Sequence, residues 1–135
     1  MSSSASVRSF RDLGAWQVAM DLTVACYELA RALPSDERFV LGSQLRRAAV
    51  SVPSNIAEGH ATRSDGLLLR HLRIARGSLG ELETQLELLS RLKLRPAQAL
   101  EPSRRLLTRT QQLLAGLART VRTSQASRKT GVSKH

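Results

Sequence analysis

Leu68, Leu72, Ala75, Leu79, Leu82, Leu86 and Leu89 alternate spacings of four and three without a miscount. A repeat averaging 3.5 residues sets one apolar seam along a helix and packs it, knobs into holes, at a shallow crossing angle. A chain carrying such a seam is committed to a helical bundle. The small Ala75 lets a partner helix come closer at its level. Gly77 and Gly80 interrupt the far side of the same helix and would destabilise it alone. Their expected use is close approach of another helix, from this chain or from another subunit.

Three more helices frame this one. In QLRRAAVSVPSNIAEG, Leu41, Leu45, Ala48, Val52 and Ile56 keep one face apolar on both sides of Pro53. The proline is therefore expected to kink one helix rather than separate two, with Ser51 and Ser54 satisfying the freed backbone groups. That helix is expected to begin at LPSDE, with Ser35 as N-cap, and to stop near Gly59 or His60. The first helix is expected from about Asp12, as N-cap, to Leu33, with Phe10 folding back onto its first turn. It is apolar over well more than half its circumference, which calls for burial both inside the bundle and against a neighbouring subunit. Ser64 or Asp65 can cap the third helix. For the fourth, Pro96 opens a short turn and Pro102 suits the first turn of the main helix, with a bend near Leu100. Its apolar side holds Leu106, Leu107, Leu113, Leu114, Leu117 and Val121.

The segments FRDLGAWQVAMDL, LPSDERFVLGSQLRRAAVSVPSNIAEG and HLRIARGSLGELETQLEL together resemble the bacterial four-helix-bundle family named after a protein encoded by intervening sequences in 23S ribosomal RNA genes. The resemblance runs from about Phe10 to Val121. It implies an all-α fold, an up-and-down antiparallel four-helix bundle assembled as a cyclic homopentamer. It also implies kinship with the accessory protein of diversity-generating retroelements, a basic pentamer that works with reverse transcriptase and nucleic acid. A reverse transcriptase thus becomes a candidate partner. No catalytic motif comes with the family. The domain plan reads as a disordered N-terminus over 1–9, the bundle over 10–122 and a disordered basic tail over 123–135.

Charge is the informative part of the composition. Residues 1–87 hold ten basic and ten acidic side chains, whereas residues 88–135 hold eleven basic ones against Glu101 alone. The whole formal charge of +10 therefore sits in the last third. Such asymmetry points to a polyanion, nucleic acid first and an anionic membrane surface second. The expected nucleic-acid-binding set is Arg104, Arg105, Arg109, Arg119 and Arg122 on helix four, with Arg128 and Lys129 in the tail. No aromatic residue interleaves with them, which disfavours base stacking and leaves contact to backbone or shape.

A second polar set, Arg46, Arg47, Asn55, Glu58, Arg76, Glu81 and Glu83, lies close to the packing surfaces of helices two and three. Its expected role is structural, as ion pairs between helices or across subunits. Glu58, His60 and His71 converge near one connection but match no zinc signature, and no activated nucleophile or phosphate-cradling loop is present. No cofactor or metal is expected. The lone Cys26 reads as a buried thiol in a reducing compartment, and the absence of any long apolar run points to a cytoplasmic protein. The functional expectation is a non-enzymatic oligomeric scaffold binding RNA or DNA; the alternative is a protein-interaction assembly with no nucleic-acid role.

Overall fold

The computed structural model describes residues 9–133, the side chains of residue 12 and residues 130–133 excepted. The expectation of disorder over residues 1–8, and the last two residues of the tail, lie outside that range. The described residues are all-α, with no strand. A 3-10 turn at Phe10–Asp12 leads into α1 (Gly14–Arg31), a single-turn α2 (Ser35–Arg38), α3 (Leu41–Ala61), α4 (Asp65–Arg91) and α5 (Ala97–Ser133). The four long helices form a ring in which α1 packs on α3 and α5, and α4 on the same two. Short links between successive members give the up-and-down order of a bundle.

The α4 seam supplies the centre of the core. Leu72, Ala75, Leu79, Leu82, Leu86 and Leu89 are fully enclosed, while Leu68 packs at its edge half-buried. From α1 come Ala15, Ala19, Leu22, Cys26 and Leu29, from α3 Leu45, Val52 and Ile56, and from α5 Leu100, Leu107, Leu114 and Ala118. Each buried leucine contributes about 1.5–3 kcal/mol before entropy is subtracted. Burial also pushes the Cys26 thiol up to about 12, so it stays protonated in the core.

α3 passes through Pro53 as one helix. Pro53 has no N–H to give to the Ala49 carbonyl one turn back, and that carbonyl needs another donor. Thr23 of α1 supplies it in part: its Oγ1 lies 3.1 Å from Ala49 O and 2.8 Å from its own Ala19 O, so its one hydrogen is shared between the two carbonyls. Ser51 and Ser54 do not serve this role. Ser51 is engaged with Asn55 and Ser78, and Ser54 is exposed.

Several boundaries differ from expectation, each for a local reason. Asp12 is not the cap of α1; Leu13 occupies that position without a side-chain bond, and Ser9 Oγ accepts from the Arg11 N–H of the preceding 3-10 turn. Phe10 does fold back, its ring 5.1 Å from that of Trp16 in an edge-on contact. The expected second helix is split at Phe39 and Val40, where the chain breaks so that Leu33 and Leu41 can both turn inward. Of the two proposed caps for α4, Ser64 is used, its Oγ accepting from Leu67 N. Pro96 and Pro102 belong to one continuous start of α5 rather than to two helical pieces.

Gly59 does not stop α3. It lies inside the helix, buried, and a Cβ there would come within 2.7 Å of His71 Cβ and 3.3 Å of Leu68 Cα. Within the chain the close approach is at Gly59, since a Cβ at Gly77 or Gly80 meets nothing within 4 Å among the described residues. Gly59→Ala should lower stability by about 1 kcal/mol, an overpacking cost of about 1–3 kcal/mol partly offset by better helix propensity. Urea melts of the two proteins check this.

The real stops are residues in the left-handed region: Arg63 (φ 56°) after α3 and Lys93 (φ 57°) after α4. At Lys93 the motif is complete, with Leu94 N–H donating to Leu89 O at 2.9 Å and Lys93 N–H to Ser90 O at 3.0 Å. A side chain is disfavoured there and glycine is not. Lys93→Gly should raise stability by about 0.5–1 kcal/mol, readable as a higher melting temperature.

The polar C-terminal sequence expected to be disordered continues α5 to Ser133, giving a helix of 37 residues. Extension of an existing helix adds one hydrogen bond per residue without a new nucleus, so Gln125, Ala126, Arg128 and Lys129 can follow where isolated they would not. Val121 is the last buried residue among those described, and Arg128 reaches back to pair with Asp65 in the first turn of α4.

Candidate nucleic-acid interface

Two surfaces compete for attention, the polar α3–α4 seam and the outer face of α5. In the seam, Ser78 Oγ donates to Ser51 Oγ at 2.8 Å, and the Asn55 amide donates to Ser51 O at 2.8 Å and to Ser51 Oγ at 3.1 Å. With its nitrogen so committed, Asn55 turns Oδ1 toward His71 Nδ1, 2.9 Å away. The same ring nitrogen lies 3.4 Å from Glu58 Oε2. Facing two acceptors, Nδ1 carries a hydrogen. This chain fastens α4 to α3 beside Gly59, and its geometry is that of a structural network.

The seam gathers only part of the expected polar set. Asn55 and Glu58 are in it, joined by Ser78, which sequence reading passed over, and by Ser51 and His71, which it considered in other roles. His71 and Ser78 are seven apart on α4 and were findable as a polar stripe of the same period as the leucine seam. Arg46, Arg47, Arg76, Glu81 and Glu83 form no ion pair among the described residues, so the expected interhelical pairs within the chain are not made by them. His60 joins neither Glu58 nor His71, and among the described residues no group of three or more His, Cys, Asp or Glu is placed to hold a metal ion.

The α5 face is different in kind. Arg105, Arg109, Arg119, Arg122 and Lys129 are all exposed along one continuous helix. At a rise of about 1.5 Å per residue, Arg105 and Lys129 stand about 36 Å apart. Three cations of the expected set are already neutralised. Arg104 Nη2 lies 3.5 Å from Glu87 Oε1, Arg105 Nε lies 3.8 Å from Glu101 Oε1, and Arg128 is paired with Asp65. A hydrogen bond from Arg91, with help from Arg104, holds the Glu87 carboxyl below the usual carboxylate range. Arg109, Arg119, Arg122 and Lys129 remain exposed and make no ion pair among the described residues.

Near its start the face forms a shallow open groove of about 400 Å³ lined by Glu101, Arg104, Arg105, Thr108, Arg109 and Gln112. Thr108 and Gln112 were not in the expected set, though their spacing of three from Arg105 and Arg109 marks them as neighbours on the same face. Guanidinium forks, a hydroxyl and an amide suit phosphate oxygens and sugar hydroxyls, and nothing here offers a ring for stacking. No helix among the described residues is long and apolar enough to cross a membrane.

No curated protein matches the chain. Residues 11–116 match the family model described as 23S rRNA-intervening sequence protein, which spans every long helix up to the middle of α5, and the chain belongs to that family.

Proposed function

We propose that this protein is a non-enzymatic scaffold that binds RNA or DNA through the basic face of α5, working in the cytoplasm as a cyclic homopentamer of bundles bent at Pro53. The observation that carries this reading is that Arg109, Arg119, Arg122 and Lys129, wound about α5 from its middle toward its end, are exposed and make no ion pair among the described residues. They neutralise phosphates without reading bases, so recognition is by backbone and shape. Repetition of the face around a ring would add avidity to contacts that are weak singly. The family's description by an rRNA-intervening sequence favours RNA over DNA as the first ligand to test. Kinship with retroelement accessory proteins makes a reverse transcriptase the candidate protein partner.

The test is binding of labelled structured RNA and of duplex DNA by the intact chain and by a chain ending at Val121. Oligomer mass is recorded on the same samples. Micromolar or tighter binding that falls on truncation is expected, because the truncation removes Arg122 and Lys129 and shortens the cationic row. Equal, negligible binding by both forms with the oligomer intact would leave a protein-interaction assembly as the function.

A further inference from the structure

The outer side of α3, together with Tyr27 of α1, frames an open groove of about 400 Å³ lined by Tyr27, Ser43, Arg46, Arg47, Val50 and Ser51. That volume falls among small-ligand sites, which run from about 300 to 1,000 Å³. Every polar side chain in the wall can donate a hydrogen bond, and none is a carboxylate. Arg46 and Arg47 make no ion pair among the described residues. The acids on the surrounding elements, Asp21 and Glu28 on α1, Glu37 on α2 and Glu81 on α4, pair with neither arginine, and none of them lines the groove. At about 3.6 residues per turn, Asp21 and Glu28 project about 100–120° around α1 from Tyr27.

Two details prepare these donors for an anion. Arg46 is half-buried, with Nη1 lying against Gly42, where a Cβ would stand 3.5 Å from it. Its fork is thus partly held before a ligand arrives, which lowers the entropy lost on binding. Ser51 Oγ accepts from Ser78 Oγ at 2.8 Å and from the Asn55 amide at 3.1 Å. Both of its lone pairs are then occupied, so the network that fastens α4 to α3 leaves the Ser51 hydrogen as a donor in the groove wall.

We infer that the α1–α3 groove is a binding site for a nucleoside 5′-phosphate. Arg46 and Arg47 take the phosphate oxygens with their planar forks, and the Ser43 and Ser51 hydroxyls add to the shell. The Tyr27 ring, 38% exposed, and Val50, 40% exposed, give the base a wall to lie on. An inorganic anion would leave Tyr27 and Val50 unused, and a nucleoside without phosphate would leave the arginines unused. A free nucleotide and the 5′-phosphorylated end of a strand present this same chemistry. The groove shares no residue with the one on α5, so the site stands apart from the basic face proposed above.

The test is calorimetric titration of the intact chain with adenosine monophosphate, adenosine and inorganic phosphate, with helicity by circular dichroism and mass by sedimentation velocity. Adenosine monophosphate is expected to bind at least about tenfold more tightly than adenosine or inorganic phosphate, and Arg46→Gln and Arg47→Gln each to weaken it about tenfold or more. Tyr27→Leu should weaken it about fivefold or more while leaving inorganic phosphate as in the parent. If Arg46→Gln or Tyr27→Leu loses helicity, Arg47→Gln decides, since Arg47 is exposed. A short RNA with a 5′-phosphate or a 5′-hydroxyl end separates the two sources. A preference for the phosphorylated end that disappears in Arg47→Gln assigns the strand end, and equal binding of the two ends assigns the free nucleotide. No binding of adenosine monophosphate at millimolar concentration, equal affinity for it and inorganic phosphate, or binding unchanged in Arg47→Gln would overturn the site. In the first of these cases, a lower mass for Arg47→Gln than for the parent would give the groove to a second copy of the chain.

Discussion

Thr23→Val should lower the stability of the folded chain by about 1–3 kcal/mol, although valine has almost the shape of threonine. The loss comes from one carbonyl. Pro53 cannot donate to Ala49 O, the Thr23 hydroxyl, 2.8 Å from Ala19 O and 3.1 Å from Ala49 O, shares its one hydrogen with it from the neighbouring helix, and Ala49 is fully buried. Removing that donor deprives a buried carbonyl of its interhelical partner, which costs part of its desolvation. The double-mutant cycle makes the prediction specific. Pro53→Ala returns an N–H to α3, directed at Ala49 O, so in that background Thr23→Val should cost only a few tenths of a kcal/mol. Denaturant melts of the four proteins measure it, and an equal loss in both backgrounds would show that the Thr23 bond does not replace the one proline removes.

Replacing Arg109, Arg119, Arg122 and Lys129 together by glutamine should weaken RNA binding by about 10- to 100-fold at moderate salt and lower the slope of log affinity against log salt by about three. Changing Arg104, Arg105 and Arg128 together should do less to binding, because each is held by an acid of the chain itself. The trio should instead show a modest stability loss, as exposed pairs contribute about 0–1 kcal/mol each. Polarisation of a labelled RNA against protein concentration separates the sets. A larger binding loss in the trio than in the quartet would move the interface to the α4–α5 groove around Glu87.

How much of this was legible in the chain varies with the range of the interaction involved. The α4 seam and its Ser64 cap are local regularities, and they stand in the structure as the spacing predicts. Continuity of α3 through Pro53 was likewise readable, since the apolar face keeps its phase on both sides. The Thr23–Ala49 bond was not, because its two ends are 26 residues apart and belong to different helices. The same holds for Gly59, whose neighbours His71 and Leu68 become visible only when α4 is laid against α3. The break at Phe39 and Val40 yields to the demand that Leu33 and Leu41 be buried together, which local propensity does not register. At the candidate interface, charge asymmetry located the helix. It could not show which arginines already have a carboxylate, since Glu87 and Asp65 come from another helix.

The measurement that tests the central claim most directly is the affinity of the intact chain for a structured RNA over a series of salt concentrations. With the four α5 cations that are unpaired among the described residues engaging phosphates, log affinity should fall linearly with log salt with a slope of about −3 or steeper. Absence of binding at low salt, or binding that does not change with salt, would contradict the assignment of α5 as a polyanion-binding face.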